Sequence, residues 1–363
     1  MSSYEQGGRY APDRIISAED LRAFGFDPSG SPAGSETGIS GGMNKSEGEP
    51  GPALADEARA LLRQQREHWP MLSDNFKSLD TVVVRTFDYD GFSMKLQFNP
   101  GRIVSTSAKV DKKTIRERKC FLCQENLPPE QKGLLCGDYM VLGNPFPIFR
   151  EHFTIPHLDH VPQLILPSFG EMLDITSWMG RYYTLFYNGP RCGASAPDHL
   201  HFQAGEFGFM PLDTGWGTLV KQHGQWLADT DTVRMARVDD GLRRFVVIES
   251  DDKEELLNRF GRLYHRFEHL SDAEEEPMLN VLASHDGGRW CVIVFLRRKH
   301  RPDCFFLEGD DRVMFSPASV DFGGVCITPV ERDFERMTGR QLRAMFEEVS
   351  VTPEVLKAVT SED

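Results

Sequence analysis

Long apolar runs are missing from this sequence. No stretch of about 18 apolar residues occurs, so a membrane-spanning helix is not expected. The opening residues, MSSYEQGGRYAPDR, hold no apolar signal core, and a cytoplasmic location is the expectation. Positive charge is in deficit: 41 Lys plus Arg against 55 Asp plus Glu give a formal net charge of −14. That argues against binding long nucleic acid, whose affinity rests on neutralising phosphates. A small nucleotide needs only a local basic pocket and is not excluded. No Gly-x-Gly-x-x-Gly or Walker A segment is present, which removes the common dinucleotide and P-loop readings. Cysteine is scarce, with 7 in 363 residues, an odd number. Two of the seven nevertheless stand together in Cys120-Phe-Leu-Cys123. In a reducing compartment such a pair is more often a metal or redox site than a structural disulfide.

What is present suffices for a packed core: 40% hydrophobic residues, 25 of the residues being Phe. Residues 28–52 are rich in Gly, Ser and Pro and read as a flexible linker, with a short capped helix expected before it at Ser17-Ala-Glu-Asp-Leu-Arg. After it, ALADEARALLRQQREHW has helical spacing of apolar residues. Leu79 to Phe87 and Phe92 to Phe98 are β-rich and joined by a turn signal, Asp88-Tyr-Asp-Gly91. Further strands are expected at 139–142 and 153–155, an amphipathic helix over 170–188, and then a strand containing HLHFQAG. A second β-rich region is expected from about 217, with strands near 245–249, 278–283, 290–296 and 325–328 and helices near 253–270 and 339–358. Hairpin-joined strands with helices between them predict an α+β fold rather than a doubly wound parallel sheet.

Four constellations carry chemistry. In His199-Leu-His201-Phe-Gln203, residues two apart share one face of a strand, so two imidazoles and an amide would line one side. The alternative is an exposed polar strand face. Small residues at 193–196 ahead of it would let backbone approach an anion, and Ser195 could donate to a phosphate oxygen. Cys120 and Cys123 could clamp one tetrahedral metal, with His160 and His199 as candidates for the other positions and His152 and His157 competing for the third. A reduced cysteine pair without metal is the alternative. Between Phe98 and Lys113, Arg102 and Lys109 lie among small and apolar residues and suit a polyphosphate, whereas Lys112 and Lys113 read equally well as a solvated loop. The fourth is Arg297-Arg298-Lys299-His300-Arg301, after an apolar strand, where a solvated strand end is the commoner reading of such a run.

Together these residues resemble the histidine-triad superfamily, in the branch of galactose-1-phosphate uridylyltransferase, diadenosine tetraphosphate phosphorylase and GDP-L-galactose phosphorylase. The resemblance is carried by Asn99-Pro100, Cys120-Phe-Leu-Cys123, Gly143-Asn144-Pro-Phe146, Phe153-Thr-Ile-Pro with Asp159-His160, and Asn188 through Gln203. It implies antiparallel sheets with packed helices in two histidine-triad-like halves: an N-terminal segment (1–27), the linker (28–52), a catalytic half with the metal site (53–212) and a second half (213–363). It implies a structural zinc held by Cys120, Cys123, His160 and His199. It implies His201 as nucleophile, Gln203 on a phosphate oxygen, Asn188 and Ser195 near the phosphate, and Asn144 and Phe146 at the base and ribose, with Arg102 and Lys109 added as basic groups. Gln203 replaces the third histidine of the hydrolases, and an amide cannot protonate a leaving group, which favours transfer.

The reaction implied is double displacement through a nucleotidyl-histidine, with phosphate or a sugar phosphate as acceptor and a nucleoside diphosphate sugar or dinucleoside polyphosphate as donor. A homodimer is compatible with the resemblance. The rival readings are a non-catalytic nucleotide- and zinc-binding module, and a redox protein using Cys120 and Cys123.

Overall fold

The apolar runs Phe245-Val-Val-Ile248 and Val292-Ile-Val-Phe-Leu296 have no polar face because both faces of the sheet they enter are covered. The structure, a computed structural model, describes residues 11–26, 53–103, 112–271, 273 and 275–361. Lys109 and the whole of the expected linker lie outside these residues. The strands are β1 (Val83–Asp88), β2 (Ser93–Phe98), β3 (Gly133–Cys136), β4 (Tyr139–Gly143), β5 (His152–Pro156), β6 (Tyr183–Asn188) and β7 (His201–Glu206). They continue as β8 (Gly224–Asp229), β9 (Val233–Asp239), β10 (Arg244–Ser250), β11 (Leu279–Asp286), β12 (Arg289–Leu296) and β13 (Val325–Thr328).

Ten of them form one sheet in the order β3-β4-β5-β7-β6-β11-β12-β10-β9-β8. All of its neighbours are antiparallel. The order contains a repeat. From each edge inward, the sheet runs first, second, third, fifth and fourth strand of a five-strand block, β3 to β7 and then β8 to β12. Each block places one long helix between its third and fourth strands, Phe169–Met179 and Lys253–His269. The blocks meet where β6 pairs with β11, with Asn188 opposite Asn280.

Side chains alternate across this sheet. Leu185, Tyr187, Phe202, Val281 and Val294 face one core, which the two helices cover, with Phe169 stacked on Phe260 at 3.9 Å between centroids. Phe186, Leu282, Ile293 and Phe295 face a second core on the other side. Over that second face lies a small sheet, β1-β2-β13, in which β13 runs parallel to β2. The last strand of the chain thus completes a sheet begun by β1 and β2, ahead of the first block. The hairpin between β1 and β2 turns at Gly91, whose φ of +80° suits glycine.

The structure departs from the sequence-based expectation at several places. The expected helix over 170–188 stops at Met179, Gly180 breaks it, and Tyr183-Thr-Leu-Phe-Tyr-Asn188 is a central strand. Its aromatic and β-branched residues suit a strand, and pairing on both sides holds it there. A helix, Pro211–His223, precedes the strands of the second region, and β8 and β9 stand ahead of the first strand expected there. The C-terminal helix is divided into Gly339–Val349 and Pro353–Val359, with Pro353 opening the second piece. Leu79–Thr81 is a 3-10 turn that precedes β1. No helix among the described residues is long and apolar enough to cross a membrane.

Candidate active site and metal-binding cluster

Because β7 begins at His201, the side chains of His201 and Gln203 share the face turned toward the small sheet. There they line a cavity of about 390 Å³. Arg102, Asn144, Phe146, Asn188 and Ser195 line the same cavity, so six sequence-predicted substrate or catalytic positions besides His201 converge on it once Gln203 is included. Part of its lining is apolar and aromatic, with Trp69, Met71, Phe121 and Phe146.

His201 is buried, and its Nδ1 lies 2.8 Å from the carbonyl oxygen of His199. A carbonyl only accepts, so Nδ1 must carry the proton and Nε2 the lone pair. Burial pushes its pKa down to about 4, which keeps the ring neutral. The backbone on either side is clamped by Gln163: its Oε1 accepts from the His201 amide at 2.8 Å, and its Nε2 donates to the carbonyls of Asn188 and His201. Sequence reasoning missed Gln163, since nothing in a lone glutamine signals this role.

The Gln203 amide is oriented by a neighbour. The Ile148 amide donates to Nδ1 of His152, so His152 presents Nε2–H, which donates to Oε1 of Gln203 at 3.2 Å. Asn144 Nδ2 approaches the same oxygen at 3.4 Å and also donates to Thr154. With its oxygen so engaged, Gln203 offers its NH₂ group to the cavity. Asn188 is oriented in the same way: its Oδ1 accepts from Asn280 Nδ2 at 2.8 Å and from the Ser319 amide at 2.9 Å. Arg102 donates to the Phe146 carbonyl at 2.6 Å, and burial lowers its pKa to about 10. Gly193 needs to be glycine on two counts: φ is +102°, and a Cβ there would stand 2.6 Å from that of Ala318.

His199 does not belong to the strand. It sits in a turn, its amide bonded to the Ala196 carbonyl, so the expected one-face arrangement of three residues holds only for His201 and Gln203. Its ring enters a cluster with Cys120, Cys123 and His160, whose donor atoms all lie within 4.8 Å of one another. The sulfur-to-Nδ1 distances are 3.4 Å (Cys120–His199), 3.2 Å (Cys123–His160) and 3.6 Å (Cys123–His199). A tetrahedral site with ordinary metal–sulfur and metal–nitrogen bonds has edges of about 3.5 Å between S and N, so the four residues could hold a metal ion. His199 Nε2 donates to the His157 carbonyl at 2.8 Å, which leaves Nδ1 with the lone pair a ligand needs. Asp198 lies 3.7 Å from Nε2 of His160 and pairs with Arg118 at 2.7 Å.

Of the rival ligands, neither His152 nor His157 enters the cluster. His152 is committed to Ile148 and Gln203, and Nδ1 of His157 accepts from the Asp159 amide.

Residues 61–206 match a family described as "Domain of unknown function (DUF4922)". No curated protein matches the sequence. Among solved structures, yeast Ap4A phosphorylase Apa2 is similar over 77% of this chain and 93% of its own, with 16% identity and a TM-score of 0.50. Its complex with AMP is similar over 79% and 96%, with 17% identity and a TM-score of 0.51. The fold is histidine-triad-like.

In this histidine-triad-like fold the cavity is not the property of one block. His300, Arg301, Ser316, Ala318 and Asp321 also line it, all from beyond β12. The run Arg297 to Arg301 is therefore not the solvated strand end that the sequence suggested. Arg297 is fully buried, donating to Asn280 Oδ1 at 2.6 Å and to the carbonyls of Pro317, Lys299 and His300. A fully apolar strand leading into the run was the available signal, because such a strand end is buried at its start.

Proposed function

We propose that this chain is a nucleotidyltransferase, acting as a phosphorylase or a sugar-1-phosphate nucleotidyltransferase through a nucleotidyl-histidine on His201. The observation that carries the proposal is the state of His201: neutral, held at Nδ1 by a carbonyl, with the Nε2 lone pair at a cavity lined by amide, hydroxyl and guanidinium donors. In the first step Nε2 attacks the α-phosphorus of a nucleotide. A P–N bond forms, the P–O bond to the leaving phosphate breaks, and that oxygen leaves with the electron pair. In the second, an acceptor phosphate oxygen attacks the same phosphorus and the pair returns to Nε2. Dividing the displacement in this way is covalent catalysis.

The Gln203 amide, the Ser195 hydroxyl and Asn188 would donate to the phosphoryl oxygens, where charge builds in the transition state. Arg102 would add positive charge, with Lys109 as a further basic group. Asn144 and Phe146 would receive the ribose and base. Nucleotide substrates are supported by the similar fold of a yeast protein solved with AMP. The metal would be zinc, whose preference for thiolate and imidazole suits Cys120, Cys123, His160 and His199. With all four positions taken by protein it would be structural, tying the turn before His201 to the Cys120–Cys123 loop. A cytoplasmic location accords with this reading.

The test is to incubate the chain with a dinucleoside tetraphosphate or a nucleoside diphosphate sugar without acceptor. The adduct is then mapped by mass spectrometry, and nucleotide products are followed on adding orthophosphate. An acid-labile, base-stable nucleotidyl group on His201 is the expected result. An adduct elsewhere would overturn the assignment, and nucleotide binding without any adduct would make the chain a binding module instead.

A further inference from the structure

The chain beyond the second block contributes a wall to the cavity that the two steps above do not use. Three of its side chains, His300, Arg301 and Ser316, line the space that His201 and Gln203 line from the first block. Nε2 of His300 is buried and, among the described residues, has no hydrogen-bond partner. Buried polar atoms are nearly always satisfied, so an orphan on a cavity wall calls for a missing partner. The surroundings give that partner a sign. Burial first, and then the charges of Arg301, Arg297 and Arg191, push the pKa of His300 down to about 3. In a chain whose formal net charge is −14, this is a local concentration of positive charge.

The wall is also built rather than loose. Arg301 Nε donates to Ser316 Oγ at 2.9 Å, and its guanidinium lies 4.2 Å from the Phe305 ring centre. Arg297 fixes the backbone beneath by donating to the His300 carbonyl at 2.9 Å. Through Asn280 the same arginine is tied to Asn188 on the first block. The one carboxylate lining the cavity among the described residues, Asp321, has its oxygens engaged by the amides of Ala318 and Ile327, and burial raises its pKa to about 7. Its opposition to an anion is thereby blunted.

We infer that His300, Arg301 and Ser316 form the subsite for the phosphate that leaves in the first step and the phosphate that attacks in the second. This rests on the reaction proposed above. Displacement at phosphorus is roughly in line, so the group opposite His201 is the leaving group on the way in and the acceptor on the way out. Both are phosphate dianions or phosphate monoesters, and both need donors, which this wall supplies: a guanidinium, a hydroxyl and, in its Nε2–H tautomer, an imidazole. In the second step the P–N bond to His201 breaks as the P–O bond to this bound phosphate forms, with no external proton or electron required.

The experiment is calorimetric titration of the full chain with orthophosphate and, separately, with glucose 1-phosphate, on wild type, Arg301→Gln, Arg301→Lys and His300→Phe, each checked for folding by circular dichroism. Saturable binding by wild type, weakened at least ten-fold in Arg301→Gln and His300→Phe and partly kept in Arg301→Lys, is expected. Saturation by orthophosphate but not by glucose 1-phosphate would identify a free-phosphate acceptor, and binding of both a monoester acceptor. No saturable binding of either, or equal affinity in all folded variants, would overturn the inference. The outcome is independent of the adduct experiment: phosphate binding lost with Arg301 in a protein that never forms an adduct would uphold the subsite and sink the reaction.

Discussion

The two five-strand blocks have the same strand order and opposite occupations. The fifth strand of the first block, β7, carries His201, Gln203 and Gly205 toward the cavity side. The fifth strand of the second, β12, is Arg289-Trp-Cys-Val-Ile-Val-Phe-Leu296 and carries Ile293 and Phe295 into the core on that side. One block therefore brings His201, the proposed nucleophile, to the cavity, whereas its counterpart is packed solid, and the arginine that reaches the cavity from that side, Arg301, lies past its end. Repetition of a fold supplies two strands that could each carry chemistry. Here one of them has been given over to support, and the site sits across the seam where Asn188 faces Asn280. A nucleotide's base end and its phosphate end need different surroundings, apolar and aromatic for one and cationic for the other. Two unlike blocks provide that more readily than two alike.

That division of labour can be broken at its strongest point first. His201→Gly should lower turnover on the order of 10⁴-fold or more without loss of metal, as seen when a covalent nucleophile is removed. Steady-state kinetics beside metal analysis checks it, and near wild-type turnover would end the role given to β7. Next comes the proposed metal, whose four candidate ligands all come from the part of the chain up to the turn before β7. About one zinc per chain is expected in protein purified without chelator, and Cys120→Ser or His199→Ala should bring it close to zero with a clear fall in Tm, since metal binding is linked to folding. His160→Ala should lose metal and His152→Ala should keep it. The reverse pattern would replace the third ligand.

The support given by the second block should show as stability. Arg297→Met leaves the acceptors of Asn280, Pro317, Lys299 and His300 buried without their donor and should cost about 3–5 kcal/mol, measured by chemical denaturation. The exposed neighbour Arg298, which reaches the carbonyls of Glu347 and Glu348, should cost within about 0.5 kcal/mol on changing to Ala. Similar values for the two would mean that Arg297 is no keystone. Between these effects in size lies Arg102→Ala, expected to weaken nucleotide binding by about 1–3 kcal/mol, since it removes a charged donor and frees the Phe146 carbonyl. Unchanged affinity by calorimetry would remove Arg102 from the site.

The legible part of this protein is local. The spacing of Cys120 and Cys123 alone points to a group that could hold a metal, and His201 and Gln203 share a face because strand side chains alternate. The apolar run before Arg297 is plainly a strand. The choice of His160 over His152 and His157 is not local. All three stand within one short stretch, and only the pairing of β5 with β7 turns His152 toward Gln203 while the turn after β5 carries His160 to the cysteines. The helix expected over 170–188 failed for the same kind of reason: Tyr183 to Asn188 gain strand partners on both sides that no local pattern announces.

By itself, then, the sequence determined an α+β build and which residues are candidates for chemistry: the cysteine pair, the His-x-His-x-Gln segment and the small residues before it. It did so because spacing of two or three residues is set by backbone geometry. Only the tertiary structure decided which histidine meets the cysteines, and that His199 leaves the strand to do so. It alone joined Arg301 and His300 to the cavity that His201 lines from the first block. Those contacts link residues far apart in the chain, and a charged run at a strand end looks the same in sequence whether water or a second block covers it.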